Sequence, residues 1–329
     1  MDGLGTRSAS ESLDDIRRRY GNWTAMSVHL GGELYTLPPA PDGRLRRIVQ
    51  MMCDLAGKPL SQLRVLDLAC LEGHYGIEMA MHGAEVVGIE LREANLAKAE
   101  FAKNHLGLDN FTLRKDDVRN LSVEKYGKFD VVICSGILYH LTTPDVFHFV
   151  RQIYEVCTRL AIFDTQIALH GREMVEFEGR PYYGIWFTEH DPSADKETRL
   201  KDVWASVDNA RSFWFTQPSF SNLIASVGFS SLFECLNPAH AVPPDRRAYV
   251  AIRGCVGSIR TSPATESMDL APTPERNLLP PAEAQIKRGP FFRLAKRLLP
   301  QPVKDFVKPI LRFFRFIPPD ATPPWAKNK

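Results

Sequence analysis

Val65-Leu66-Asp67-Leu68-Ala69-Cys70-Leu71-Glu72-Gly73-His74-Tyr75-Gly76 runs from an apolar stretch through a small-residue turn into a segment of helical spacing. Seventeen residues after Gly73, the run Val86-Val87-Gly88-Ile89 closes on a carboxylate, Glu90. A third strand-like segment, 110–115, leads to Lys115-Asp116-Asp117-Val118. A fourth, Phe129-Asp130-Val131-Val132-Ile133-Cys134, opens into Ser135-Gly136-Ile137-Leu138-Tyr139-His140. Each block ends a β-branched stretch on polar or small residues, the way strands end at a ligand crevice.

Outward from these blocks the pattern repeats. Strands are expected at 63–68, 84–90, 110–115, 129–134 and 160–165, with helices at 44–56, 74–82, 93–105, 121–126 and 144–157 between and before them. Such alternation, with continuous apolar strands, predicts an α/β fold with a doubly wound, mostly parallel sheet covered on both faces. A helix near 219–227 stopped by Gly228, and strand-like runs at 230–236 and 247–253, complete seven strands. A short helix over 11–20 precedes them. Residues 168–216 interrupt the rhythm without a clear strand signal, so they read as a lid inserted for substrate recognition. The expected organisation is an N-terminal cover over 1–43, to which His29 and Tyr35 belong, and a main domain over 44–255. A flexible linker rich in Pro, Ser, Thr and Ala follows over 256–285, then a helical tail over 286–329.

The physics of the four blocks suits a nucleoside. A small-residue turn lets backbone N–H groups approach a ligand. A carboxylate closing the second strand can accept both ribose hydroxyls, and an acid after the third can accept from an adenine amino group. No G-x-G-x-x-G occurs, which disfavours a dinucleotide dehydrogenase.

Over residues 44–253 the chain resembles the class I S-adenosylmethionine (SAM)-dependent methyltransferases, whose fold is Rossmann-like. The resemblance implies that the turn residues Asp67, Ala69, Cys70, Glu72 and Gly73 cradle the methionine part of SAM. It further implies that Glu90 and Leu91 meet the ribose, Asp117 and Val118 frame the adenine, and Ser135 and Gly136 line the methionine side. The family pattern is Asp-x-Gly-x-Gly-x-Gly; here Ala69 and Leu71 replace its first two glycines, and Leu71 adds bulk beside the ligand. Gly136 to His140, with Ser212-Phe213-Trp214-Phe215-Thr216-Gln217-Pro218-Ser219, looks most like a branch holding tRNA wobble-uridine carboxymethyltransferases and related small-molecule methyltransferases.

Methyl transfer to a hydroxyl needs an aligned acceptor and a base, and histidine titrates in the right range. His140 and His190 are the catalytic candidates, with Tyr139, Trp186 and Glu189 toward the substrate. Asp164, His190 and Asp191 could together hold a divalent metal. Arg92 is expected to face solvent or a neighbouring acid. The expected activity is O-methylation of a small molecule or glycan. An RNA methyl- or alkyltransferase and a catalytically silent SAM-binding scaffold are the alternatives.

Composition sets the outer bounds. With 44% hydrophobic and 24% charged residues in 329, the chain is neither disordered throughout nor fibrous. No apolar run reaches the roughly 18 residues of a membrane span. The scattered cysteines, six in all, and a charged N-terminus predict a cytoplasmic protein. Residues 286–329 hold eleven Lys or Arg against two Asp, a net of +9. That leaves −7 for the first 285 residues of a chain whose total is +2. Phe and Leu alternate with that basic charge, so the tail is expected to meet an anionic membrane surface or membrane-bound partner, and nucleic acid less readily.

Overall fold

The computed structural model describes residues 12–40, 42–235 and 243–254; the linker and tail expected over 256–329 lie outside them. Along the chain come α1 (Leu13–Tyr20), a hairpin of β1 (His29–Gly31) and β2 (Leu34–Tyr35), and α2 (Gly43–Leu55). Then follow β3 (Arg64–Leu68), α3 (His74–Met81), β4 (Glu85–Glu90), α4 (Glu93–His105), β5 (Phe111–Lys115), α5 (Val123–Tyr126), β6 (Phe129–Ser135), α6 (Asp145–Val156) and β7 (Cys157–Gln166). The insertion carries β8 (Glu173–Phe177), β9 (Arg180–Thr188), α7 (Lys196–Lys201) and β10 (Arg211–Phe215). The chain then closes with α8 (Gln217–Val227), β11 (Ser231–Cys235) and β12 (Arg246–Ile252).

Seven strands form one sheet in the order β11-β12-β7-β6-β3-β4-β5. The five from β3 to β7 run parallel; β12 pairs antiparallel with β7 and β11 antiparallel with β12, so β12 alone opposes the rest. The order reverses between β3 and β6, so the turns after these strands open a crevice at that point. Successive residues of each strand feed opposite cores, as a pleated sheet requires. Leu66, Leu68, Val132, Cys134, Ala161 and Phe163 pack with α6 and α8. Val65, Val131, Ile133, Leu160 and Ile162 pack with α1, α2 and α3.

Helix starts follow their caps. Asp42 accepts from the N–H groups of Arg44 and Leu45 and starts α2; Thr216 caps α8, with Pro218 in its first turn. Gly228, at φ 115, stops α8, and a side chain there would meet Tyr154 at 2.7 Å.

The insertion departs from expectation. It holds a second, three-stranded antiparallel sheet in the order β10-β9-β8. Its hairpin turns through Glu178 and Gly179, both at positive φ, a two-residue geometry usually marked by Asn-Gly or Asp-Gly. Glu178 concealed that signal, and Pro181 and Gly184 broke the strand pattern of β9. Gly184 is needed where it stands, because a Cβ would lie 2.2 Å from the Trp214 carbonyl oxygen. Tyr182, Phe213 and Phe215 join the core of the main sheet, so this second sheet is fastened to the domain. No described helix is long and apolar enough to cross a membrane.

Candidate functional site

A cavity of about 1730 Å³ lies over the carboxyl ends of β3, β4, β5 and β6. Its floor includes Ala69, Leu71, Glu90, Leu91, Asp117, Val118, Ser135 and Gly136. The N-terminal segment and α2 form one wall and residues 203–208 of the insertion another, with Tyr139 and His140 at the end of the β6 turn.

The first turn keeps a glycine-like backbone without the glycines. Ala69 and Leu71 stand at φ 52 and 50, the left-handed region, and Gly73 follows at φ 81. Holding a non-glycine residue there costs of order 1–2 kcal/mol. The turn is retained because Leu71 N–H donates to Glu90 Oε2 at 3.0 Å and Cys70 N–H to the Ile89 carbonyl at 3.0 Å. The bulk of Leu71 therefore becomes cavity wall. Gly73 itself is boxed in, since a Cβ would lie 3.0 Å from that of Ala99.

Glu90 is 2% exposed and lines the cavity. Burial pushes its carboxyl above the usual value, against the N–H bonds from Arg92 and Leu71. Each oxygen accepts one backbone N–H, Oε1 from Arg92 at 2.7 Å and Oε2 from Leu71, and retains capacity for another donor. Asp117 caps the turn after β5 and is chelated by Arg119, with Nη2 to Oδ2 at 2.6 Å. Burial alone would raise Asp117, but the Arg119 hydrogen bonds outweigh it and hold it below the ordinary value. Asp116 also lines the cavity and takes donors from Asn120, Tyr126 and Lys125. Gly136, at φ 84, donates its N–H to the Asp164 carbonyl at 2.9 Å, and Ser135 Oγ lies 3.3 Å from the Tyr75 hydroxyl.

Four expected cofactor residues face elsewhere. Asp67 is buried beneath the turn, where Oδ2 accepts from Gly76 N–H at 3.0 Å and so holds the start of α3. Cys70 is buried, and desolvation raises its thiol well above the ordinary value. Glu72 turns away from the cavity: it accepts from Thr24 and Ala25 N–H and pairs with Lys98 at 3.0 Å, both side chains almost wholly buried. It is thus the anchor of the N-terminal cover. Gly73 serves the α3–α4 packing just described. Trp23, 2% exposed, lies in the core beside Phe101, and His29 stacks on Tyr35 within the cover hairpin.

Asp67 has a measurable consequence. Burial lifts its carboxyl from 3.8 to about 7. Within that window the folded protein holds a proton that the unfolded chain releases, so this residue makes stability fall as pH rises through it. Asp67→Asn keeps the oxygen that accepts from Gly76, and urea unfolding on either side of the window is expected to show that this part of the decline is gone.

At the other end, His140 Nδ1 lies 3.1 and 3.0 Å from the two carboxylate oxygens of Glu189. Glu189 also accepts from Ser212 Oγ at 2.6 Å and Ser206 N–H at 3.0 Å. Burial would raise its carboxyl, but the His140 hydrogen bond and the donors Ser212 and Ser206 keep it low. With Nδ1 engaged, Nε2 is the ring nitrogen left for a ligand in the cavity. The Tyr139 ring lies tilted against His140 with centroids 4.3 Å apart, and its hydroxyl accepts from Arg246 Nη1 at 2.8 Å.

The remaining candidates are not brought together. His190 is buried with Nε2 on the Ser206 carbonyl at 2.6 Å, away from the cavity. Asp191 caps an exposed turn at Ser193, and Asp164 pairs with Arg246. Among the described residues no cluster of three or more His, Cys, Asp or Glu side chains is placed to hold a metal. Trp186 packs on Phe213 under Arg211 rather than lining the cavity. Sequence reading missed Arg119, Arg246 and the wall at 203–208. Arg92, expected toward solvent or an acid, lines the cavity and bonds carbonyls of the insertion.

The family described as a methyltransferase domain matches residues 59–166. The chain is 35% identical over 101 residues to a ubiquinone biosynthesis O-methyltransferase of Acinetobacter baumannii strain AYE, covering 31% of this chain and 40% of that protein. A protein of the same name from Azotobacter vinelandii is 38% identical over 90 residues, covering 27% and 36%. The chain thus spans well under half the length of these relatives. Among solved structures, the N-terminal domain of EvdMO1 with S-adenosylhomocysteine (SAH) bound superposes with a TM-score of 0.58. The identity is 20%, over 75% of this chain and all of that one, a likeness of fold. Residues 59–166 thus match a methyltransferase domain, and the seven-stranded sheet has the class I methyltransferase fold.

Proposed function

We propose that the chain is a SAM-dependent methyltransferase that acts on a hydroxyl of a small-molecule or glycan acceptor. The observation that carries this reading is the His140–Glu189 pair at the end of the cavity opposite Glu90 and Asp117. The O-methyltransferase names of the partial relatives support it. The cavity floor fits SAM: Glu90 has acceptor capacity for ribose hydroxyls, Asp117 and Val118 border the adenine end, and the left-handed turn at 69–73 with Gly136 leaves backbone at the methionine end. When bound, SAM supplies a methyl group on a good leaving group.

The chain's own residues do the rest. Glu189 holds the neutral imidazole with its proton on Nδ1, so His140 Nε2 takes the proton of an acceptor hydroxyl. The carboxylate then stabilises the imidazolium. Residues 203–208 and the N-terminal cover exclude water and fix the acceptor in line. Tyr139, held by Arg246, borders the acceptor side. The finer likeness to tRNA wobble-uridine enzymes would need a strongly anionic ligand drawn to this site, which the −7 of residues 1–285 does not favour. The basic tail would place the enzyme at an anionic membrane surface.

Calorimetric titration with SAH tests the cofactor half. We expect micromolar binding, weakened about tenfold or more in Glu90→Gln, the range for losing hydrogen bonds to a charged group. Undiminished binding by that variant, or none by the intact protein, would remove the basis of the proposal.

A further inference from the structure

Two arginines bordering the proposed cofactor pocket grip one loop at two points. Arg92 lies two residues past Glu90. Its Nε donates to the Leu200 carbonyl at 3.1 Å and its Nη2 to the carbonyls of Asp202 and Ala205, each at 2.9 Å. Arg119 lies two residues past Asp117. While chelating that carboxylate it reaches Asp145 Oδ2 through Nη1 at 3.2 Å and Asp208 Oδ2 through Nη2 at 2.6 Å. Between these grips, residues 203–208 line the cavity.

The same loop touches the acceptor end. Ser206 offers its N–H to Glu189 Oε2 at 3.0 Å, and its carbonyl accepts from the buried His190 Nε2 at 2.6 Å. Asn209 Nδ2 donates to the His140 carbonyl at 3.1 Å. Glu189 has three donors in all: His140, Ser212 and Ser206. The first two come from the turn after β6 and from β10; the third comes from the loop backbone, so the loop's position bears directly on the carboxylate. A planar guanidinium suits the task, because its fork can serve several diverging acceptors that the single ammonium of lysine would serve less well.

We infer that Arg92 and Arg119 are positioning residues. They set the loop over the cavity so that Ser206 N–H aligns Glu189, and Glu189 keeps His140 in the Nδ1–H tautomer. This rests on the reading of His140 as the base. It assigns a role to the positions two residues after each carboxylate proposed to meet SAM.

Nitrogen-15 NMR of imidazole-labelled full-length protein tests the inference without an acceptor, with His140 identified by its loss in His140→Gln. In the intact protein we expect the neutral ring as Nδ1–H. Glu189→Gln should reverse it, since the amide can donate to Nδ1. Arg92→Met and Arg119→Met should each move the population toward Nε2–H, and Arg92→Lys and Arg119→Lys should recover part of the native signature. SAH affinity should change less in these variants than in Glu90→Gln.

Should the Met variants melt near the intact protein and keep its His140 spectrum, the arginines serve only to anchor the loop. If they unfold, the Lys variants decide: a native His140 signature together with a loop freed to exchange its amide hydrogens overturns the inference. An Nε2–H ring in the intact protein would also overturn it. Failure of SAH to bind would instead strike the proposed function, and the tautomer measured in the unliganded protein would still decide the positioning role.

Discussion

His140→Gln is expected to lower kcat about 10²- to 10⁴-fold, the range for losing a positioned base, while SAH binds as before. Glutamine fills much of the same space and can still donate to Glu189, so the fold and the second sheet should persist. What disappears is the lone pair at Nε2. Glu189→Gln should cost a large part of the same factor by favouring the wrong tautomer and withdrawing the charge that steadies the imidazolium. Single-turnover assays with hydroxylated acceptors, alongside SAH titration, separate the chemical step from cofactor binding. Equal kcat in His140→Gln would assign the histidine to structure and leave the acceptor to ionise unaided.

The second large effect lies away from the chemistry. Glu72→Gln should destabilise the protein by about 3–5 kcal/mol, because Lys98 is left charged and buried without its carboxylate. Glu72 and Lys98 are only 2% and 3% exposed, so water offers little relief. The Lys98 ammonium also donates to the Asn22 carbonyl at 2.9 Å, and Glu72 holds Thr24 and Ala25. Loss of the pair therefore loosens the segment that walls the cavity. The double variant Glu72→Gln with Lys98→Met should recover much of the loss in urea unfolding. A single variant as stable as the parent would mean that the Glu72–Lys98 pair contributes nothing to the fold.

What the sequence disclosed, and what it hid, follows from the range of the forces involved. Strands such as β4 and helices such as α6 were legible because burial on both faces writes continuous apolar runs, and the 3.6-residue repeat of Val146, Phe149, Val150 and Ile153 writes the helix. The place of Glu90 at the cavity was legible because it is the carboxylate that closes an apolar strand. The direction in which a turn residue points was not written locally. Glu72 sits in the same loop as Leu71, yet one faces the cover and the other the cavity, a choice made by Lys98 and the segment around Thr24.

The insertion was harder still. A hairpin turning on Glu178-Gly179 lacks the usual turn signature, so β8 and β9 passed for irregular chain. The partnership of His140 with Glu189 spans 49 residues and depends on how that unseen sheet meets the turn after β6. Arg92 read as a solvated charge because its acceptors, backbone carbonyls of a distant loop, leave no mark on residue type, and Arg119 went unmarked because Asp208, one of its carboxylate partners, lies 89 residues away.

The first turn of the domain shows that a motif can outlive the residues that define it. Ala69 and Leu71 hold torsion angles natural to glycine, kept there by the Glu90 carboxylate and by Ile89. A pattern search keyed to glycine letters would pass this chain over, whereas one keyed to backbone shape would find it. Other chains that have drifted from the glycine signature should be recognisable in the same way, by an acid at the end of the second strand that still grips the amides of the first turn.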